Sequence, residues 1–518
     1  MTLTADVLVV GGGPAATWAA LKAAESGASV VLADKGYCGT SGATASVGTG
    51  VWYVPPEPEA REAAMAGREA LGGYLADRRW MARVLDETYE RVNELAEAGR
   101  YPFPTGPDGT SLRNGLQGPE YMRRQRIRVK RAGVTILDHS PVTELLTAAD
   151  GAVAGAAGYR RQAGRVFEVR AGAVVVATGG CAFLSKAFGC DVNTGDGALL
   201  AAEVGAELSG MEFSNAYGIA PEHTSVTKTA FYNHATFYRA NGEVLEGAGS
   251  RRGRSVIART LLSEKVFCKL DLADEAAQRA MRLVQPNFFL TFDRLGVNPF
   301  TDSFAVTLLA EGTVRGTGGI RIVDDGCATA VPGLYAAGDA ATRELICGGF
   351  TGGGSHNAAW AISSGTWAGR AAAEFARSVG RGTRQVIAAG GAGLRPTGRS
   401  SDVDVVEIIR TVQAEVLPYD KNYLRHGDVL RAALRELDGA WSSVRTGLRA
   451  EGAAVLPARQ AAAMVVHARW MYTSALLRHE SRGMAKRLDH PDLDPAQHHR
   501  ITSGGLDEVW ARPEGAAA

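Results

Sequence analysis

The stretch Leu8-Val9-Val10-Gly11-Gly12-Gly13-Pro14-Ala15-Ala16 constrains the fold more than any other part of the chain. An apolar run meets three glycines, then Ala-rich Thr17–Ser26 with Gly27 behind it. That order predicts a strand, a tight turn and a helix that stops at Gly27. Gly11 permits the turn, Gly13 leaves no side chain between backbone and a pyrophosphate, and Ala16 is small enough for close helix–strand packing. Free N–H groups and the helix dipole at Pro14 and Ala15 favour a negative phosphate there. A second strand, Ser29-Val30-Val31-Leu32-Ala33-Asp34, ends in an acid suited to ribose hydroxyls, with Lys35 next to it.

One such unit fits any dinucleotide-binding protein, but this chain repeats the theme twice. In Ala171-Gly172-Ala173-Val174-Val175-Val176-Ala177-Thr178-Gly179-Gly180 an apolar strand runs into small residues, as where backbone passes close to a ligand. In Gly333-Leu334-Tyr335-Ala336-Ala337-Gly338-Asp339 another ends in an acid that can reach ribityl hydroxyls. A nicotinamide dehydrogenase is not expected to carry all three. Their order and separation point to FAD.

Bulk properties agree. A chain of 518 residues exceeds a single core of roughly 250–300 residues and predicts several domains. The formal net charge of +1 marks no nucleic-acid or membrane-surface partner. No apolar run nears the roughly 20 residues of a membrane span, and Met1-Thr2-Leu3-Thr4-Ala5 lacks the features of a signal peptide, so a cytoplasmic protein is expected. The six cysteines show no Cys-x-x-Cys pair, so neither a metal site nor an iron–sulfur cluster is expected in this chain. Cys38 and Cys347 fall in loops expected near the flavin, where the apolar-filler reading outweighs thiol chemistry. Gly380–Ser400 reads as a Gly-, Arg- and Ala-rich linker, and three helical stripes follow, among them Leu430, Leu434, Leu437, Trp441, Val444 and Leu448.

Asn193-Thr194-Gly195-Asp196-Gly197, followed by Ala201-Ala202-Glu203-Val204-Gly205-Ala206-Glu207-Leu208, joins Glu480-Ser481-Arg482-Gly483 with Arg487 and Asp489 in a further pattern. On these residues and the three stretches, the chain resembles the succinate dehydrogenase, fumarate reductase and L-aspartate oxidase flavoprotein superfamily over nearly its whole length. Ser355-His356-Asn357 and Ser363-Ser364-Gly365 through Gly369-Arg370 look most like the catalytic subunit of adenylylsulfate reductase. The resemblance implies an α/β architecture: a Rossmann-like FAD-binding domain (1–217 and 312–379), an inserted α+β capping domain (218–311) and a C-terminal helical domain (401–518). It places Thr40, Ser41, Gly42, Ala43 and Gly48 in the flavin loop, with Thr194, Asp196, Gly354, Ser355 and Asn357 also at the cofactor. Ala43 stands where family members can carry a histidine bonded to the flavin, so FAD is expected to be held non-covalently.

The flavin carries the redox step, so the protein must place a substrate carbon and move a proton. Arg254 and Arg259, in Arg254-Ser255-Val256-Ile257-Ala258-Arg259, resemble the family segment whose first arginine shuttles the proton. Guanidinium stays protonated in nearly all settings, so anchoring an anion is the physically easier role for Arg254. A solvated arginine cluster, including Arg251 and Arg252, is the plainer alternative. His356 follows a glycine-rich loop at a helix start whose dipole would stabilise a reduced flavin; it either lines the substrate site, as the resemblance implies, or caps that helix. Dicarboxylate-processing members carry histidines where this chain has Tyr217 and Val314, which argues against succinate, fumarate or aspartate. Tyr217 and Arg315 either bind a differently shaped anion, or Arg315 pairs on the surface.

The expected activity is hydride transfer between flavin and a small anionic metabolite, with a separate ferredoxin-like iron–sulfur protein as electron partner. Alternatives are an oxygen-using oxidase of the L-aspartate oxidase type and a non-catalytic electron-transfer or scaffold flavoprotein. Oligomeric state is left open.

Overall fold

The computed structural model describes residues 1–98, 101–105, 109–250, 252–350, 353–380, 385–399 and 403–516. Arg251, Thr351 and Gly352, drawn on above, lie outside them.

One register organises the largest sheet. The strand Arg165–Val176 runs parallel to Thr2–Val10 on one side and to Leu334–Ala336 on the other. Val10 and Ala336 both pair with Val176, and Val10 also pairs with Ala33 at the end of Val30–Ala33. Four parallel strands therefore end at one edge. The backbone continues this order past the strands: Ala177 N–H donates to Val10 O at 2.8 Å, Ala337 N–H to Val176 O at 3.0 Å and Gly11 N–H to Ala33 O at 2.8 Å. All three sequence stretches and Asp34 thus emerge together at the carboxyl ends of parallel strands, where open α/β sheets bind ligands. The near-continuous Val and Ala content of these strands reflects burial on both faces.

The helix Pro14–Glu25 follows the glycine turn as expected, with Gly13 as its cap residue and Pro14 in its first turn. It packs on the long helix Gly353–Val379. Contact is backbone-close: a Cβ on Gly365 would meet Ala15 O at 2.5 Å, and one on Gly369 would meet Ala19 O at 2.3 Å.

Between the two parts of this unit, the strands Ala216–Pro221, Thr236–Tyr238, Val266–Lys269 and Phe304–Glu311 form a separate antiparallel sheet. Its core is aromatic, with Phe231, Phe288, Phe289, Phe292 and Phe304 in mutual contact. This segment is called the cap below.

The C-terminal part contains the helices Val405–Val416, Gly427–Thr446 and Val455–Leu477. The last is buried around nearly its whole circumference, not on one stripe, because helices and strands surround it. Two features depart from the sequence reading. Val386–Ala388, inside the expected linker, pairs antiparallel with Val142–Ala148 as an edge strand of the main sheet. The C-terminal part also has strands: Ile501–Gly504 joins Trp510–Pro513 and Leu208–Ser209 in a small sheet with Gly319–Ile320. These short segments satisfy edges formed by distant residues, so no local period announces them. Among the described residues, no helix is long and apolar enough to cross a membrane.

Gly369→Val should destabilise the protein by about 3 kcal/mol or more, because two backbones must separate to admit the side chain. Gly439 lies exposed inside Gly427–Thr446 with open space where a Cβ would sit. Gly439→Ala should therefore stabilise by about 0.5–1 kcal/mol. Chemical denaturation of both variants checks the pair.

Candidate active site

At the strand edge lies a cavity of about 520 Å³. Gly11, Gly13, Pro14 and Ala15 line it, together with Asp34, Lys35, Thr40, Ser41, Gly42 and Ala43. The second stretch contributes Ala177, Thr178 and Gly179, and the third contributes Gly338 and Asp339. Asn193, Asp196, Val314, Arg315 and Asn357, also singled out in the sequence, lie in its wall.

The backbone explains the glycines. Gly11 has φ +123°, and a Cβ there would lie 2.2 Å from Ala177 O, so the first and second stretches touch only because Gly11 has no side chain. Among the described residues nothing lies within 4 Å of a Cβ built on Gly13, which itself lines the cavity.

Asp34 is buried, which pushes its carboxyl above the ordinary range against the opposing hydrogen bond from Ser41 Oγ. Lys35 Nζ pairs with Asp196 Oδ2 at 2.7 Å and donates to Thr194 Oγ1 at 3.1 Å, tying the first stretch to the Asn193–Gly197 pattern. Asp339 is held up by burial, opposed by Arg343 and Arg315. Arg343, fully buried, bonds Asp339 and donates to Thr313 O at 2.6 Å. Asn357 Nδ2 donates to Val314 O at 3.1 Å, while its buried Oδ1 lacks a partner among the described residues, as does Ser46 Oγ. Both residues line the cavity. Orphaned buried acceptors and donors of this kind are satisfied by a polar ligand, and the glycine wall, acid and helix start fit FAD.

The remaining expected residues are placed elsewhere. Ala16 is buried behind the wall, Gly354 and Ser355 lie in the first turn of Gly353–Val379, and Thr194 acts through Lys35 and Asp196. Gly48 is gripped by the cap: its N–H donates to Gln285 Oε1 at 3.1 Å, and its carbonyl accepts from Lys228 Nζ at 2.7 Å. His356 packs its ring on Trp52, with centroids 4.5 Å apart, and its Nδ1 lies 3.2 Å from Ser355 Oγ. Arg254 opens the helix Arg254–Leu261; its Nε donates to Ser250 O at 2.9 Å and its Nη1 to Tyr217 O at 2.7 Å. Arg259 is exposed and acts electrostatically on Tyr423 and Lys486.

Tyr217 departs from the expectation that it binds an anion. Its side chain is buried, and its hydroxyl donates to Val416 O at 2.9 Å and Leu417 O at 3.1 Å. It fastens the cap sheet to the C-terminal part. Arg315 is no surface residue: 3.9 Å from Glu311 and coupled to Asp339, it lines the cavity. All six cysteines are buried and free, and burial pushes the Cys38 thiol up to about 12, which supports the filler reading.

Sequence reasoning missed Trp52, which packs on His356, Gln285 and Lys228, which hold Gly48, and Leu456 and Gln460 of the helix Val455–Leu477, which line the cavity. Only Lys228, a lone cation in Thr227-Lys228-Thr229, carried any local signal.

Residues 6–217 match the family described as FAD binding domain. Across 96% of its length the chain is 26% identical to L-aspartate oxidase of Streptomyces coelicolor, covering 91% of that protein. It is also 26% identical to a chain of the CoM/CoB fumarate reductase of Methanothermobacter marburgensis, over 95% of each. Among solved structures, the FrdA chain of E. coli quinol fumarate reductase superposes with a TM-score of 0.82 at 20% identity, covering 99% of this chain and 97% of that one. Adenylylsulfate reductase of Archaeoglobus fulgidus gives 0.79 at 16% identity, covering 100% and 96%. A glycine-walled cavity at the strand ends and these matches define an FAD-binding flavoprotein. The chain carries an FAD-binding domain and is an FAD-dependent oxidoreductase, similar over nearly its whole length to L-aspartate oxidase and fumarate reductase flavoproteins.

Gly13→Val should leave the fold intact yet occupy the phosphate space. The expected result is a folded protein whose ratio of flavin absorbance to protein absorbance falls at least about tenfold, equivalent to ~1.4 kcal/mol or more. Circular dichroism confirms the fold alongside the visible spectrum.

Proposed function

We propose that this protein binds FAD non-covalently and transfers hydride between it and a small anionic metabolite held between the FAD-binding part and the cap. The observation that carries this reading is Arg315, a cation in the cavity wall beside Asp339. Bound FAD would supply the hydride acceptor or donor. Asp34 would hold the adenosine ribose and Asp339 the ribityl chain. Asn357 Oδ1 and the start of Gly353–Val379 would receive the ring's polar edge. Arg315 would orient the substrate anion through its planar fork. Arg254, locked by two carbonyls at the edge of the cap, would present its remaining N–H groups to the substrate. Val314 and the inward-tied Tyr217 offer no histidine grip for a dicarboxylate.

The reading includes a cytoplasmic location and a separate small iron–sulfur protein as electron partner. The L-aspartate oxidase relatives favour a second reading, with oxygen as acceptor.

Acid precipitation should release all yellow colour into the supernatant, since Ala43 offers no nucleophile; colour retained in the pellet overturns the non-covalent assignment. Arg315→Gln should keep FAD and the fold while lowering kcat/KM about tenfold to a hundredfold, the equivalent of losing one charged hydrogen bond of ~1.5–3 kcal/mol. Succinate and L-aspartate should fail to bleach the flavin in stopped-flow mixing. Stoichiometric peroxide during turnover of the true substrate would select the oxidase reading.

A further inference from the structure

Three of the eight tryptophans meet where the helix Arg78–Glu97 packs on the long helix Gly353–Val379. Trp360 and Trp367 lie two turns apart on the long helix, and Trp80 comes from the other. Each ring meets both others edge-on. The centroids are 5.9 Å apart for Trp80–Trp360, 5.8 Å for Trp80–Trp367 and 6.4 Å for Trp360–Trp367. Core packing favours such contacts, but the two ends of this cluster differ chemically.

The inner end reaches the flavin cavity. Trp360 is fully buried, and its indole N–H donates to Gly338 O at 3.1 Å. Gly338 lines the cavity, as do Ala358 and Ala361, which flank Trp360 in the helix. The outer end approaches the surface, with Trp80 and Trp367 6% and 8% exposed. There the Arg83 guanidinium lies 4.5 Å and 4.2 Å from the centroids of Trp80 and Trp367, which disfavours positive charge on either ring. Trp367 has a base to relieve it. Its indole N–H donates to Glu87 Oε2 at 2.8 Å, and among the described residues it is the one member of the three with a carboxylate there. Glu87 is itself buried, with Arg91 Nε 2.9 Å from Oε1 and Arg370 Nη1 3.6 Å from Oε2. An indole that has lost an electron is a far stronger acid than the neutral ring, and a carboxylate at hydrogen-bond distance can take its proton. The Gly338 carbonyl cannot do this for Trp360.

Indole is among the most easily oxidised side chains, and flavins support one-electron chemistry. We propose that Trp360 and Trp367, bridged by Trp80, form an electron relay from the protein surface to the flavin cavity. Trp360 gives one electron to oxidised flavin excited by blue light. Trp367 refills Trp360 and passes its indole proton to Glu87 Oε2. The flavin has then gained one electron, Trp367 is a neutral radical short of one electron and one proton, and Glu87 is protonated. Return of the electron and the proton restores the starting state. The relay needs FAD in the cavity and no substrate, so it stands apart from the choice of metabolite.

The test uses the full-length FAD-loaded protein under pulsed blue light. Flavin fluorescence lifetime reads the first step, and transient absorbance of the tryptophan radical reads the second. Trp360→Phe should lengthen the lifetime severalfold. Trp367→Phe and Glu87→Gln should leave the lifetime as in the parent protein, yet shorten survival of the radical at least about tenfold, because the electron gap then stays beside the flavin. Glutamine keeps an acceptor for the indole N–H but cannot hold its proton, which separates proton transfer from packing. Neither Trp367 nor Glu87 lines the cavity, so these two variants carry the test even where Trp360→Phe loses FAD. If Trp52→Phe lengthens the lifetime and Trp360→Phe does not, the donor is the indole packed on His356 and the relay is overturned. Equal radical survival in the parent protein, Trp367→Phe and Glu87→Gln overturns it as well.

Discussion

The structure depends on the alignment of Val10, Val176 and Ala336 across three parallel strands. Backbone hydrogen bonds set that alignment, and it carries three glycine-rich segments, over three hundred residues apart at their extremes, to one edge. A slip of one residue would turn every inward side chain outward. It would also drive Ala177 away from Gly11, whose missing Cβ is what allows the two segments to touch. The nucleotide cradle is therefore a property of strand register before it is a property of any side chain. The two helices packed through Gly365 and Gly369 hold the register from one face of the sheet.

A second set of forces docks the C-terminal part. Glu212 pairs with Arg478 at 2.7 Å, both fully buried, and Arg478 pairs with Glu480, which Arg482 also grips. Arg482 then donates to Gly73 O at 2.6 Å and Asp494 O at 3.1 Å. Charges buried this deeply cost several kcal/mol each unless paired, so removing one partner would strand the other. The arrangement specifies one docking pose. Next to it, Met484 N–H donates to Gly349 O at 2.8 Å, and a Cβ on Gly483 would sit 2.1 Å from the same oxygen. The Glu480–Gly483 signature thus holds Gly349, shortly before the helix Gly353–Val379 that bears His356 and Asn357. Its effect on the site runs through backbone placement, at a distance from any ligand.

The parts legible in the sequence are those whose chemistry is local. A glycine turn, an apolar strand and an acid at its end each answer to a phosphate or sugar within a few residues, so the cradle and Asp34 could be read directly. The tie of Lys35 to Asp196 was reachable only as a pattern, because its two halves are 161 residues apart. Tyr217 shows the limit. The resemblance sets it where a substrate-binding histidine would stand, yet its hydroxyl finds carbonyls 199 and 200 residues away, and nothing near it in sequence tells of them. Val386–Ala388 reads as linker because an edge strand of three residues has too little pattern to see. Lys228 and Gln285 escaped notice for the same reason: their shared partner, Gly48, is 180 and 237 residues distant.

The grip on Gly48 bears on how the cavity wall is held. The flavin loop running from Thr40 through Val47 forms one wall of the cavity, and its far end is held on both the N–H and carbonyl sides by the cap. Any outward movement of that loop at Gly48 would have to break both hydrogen bonds. The cap thereby adds two hydrogen bonds of its own to the contacts that hold the cavity wall in place.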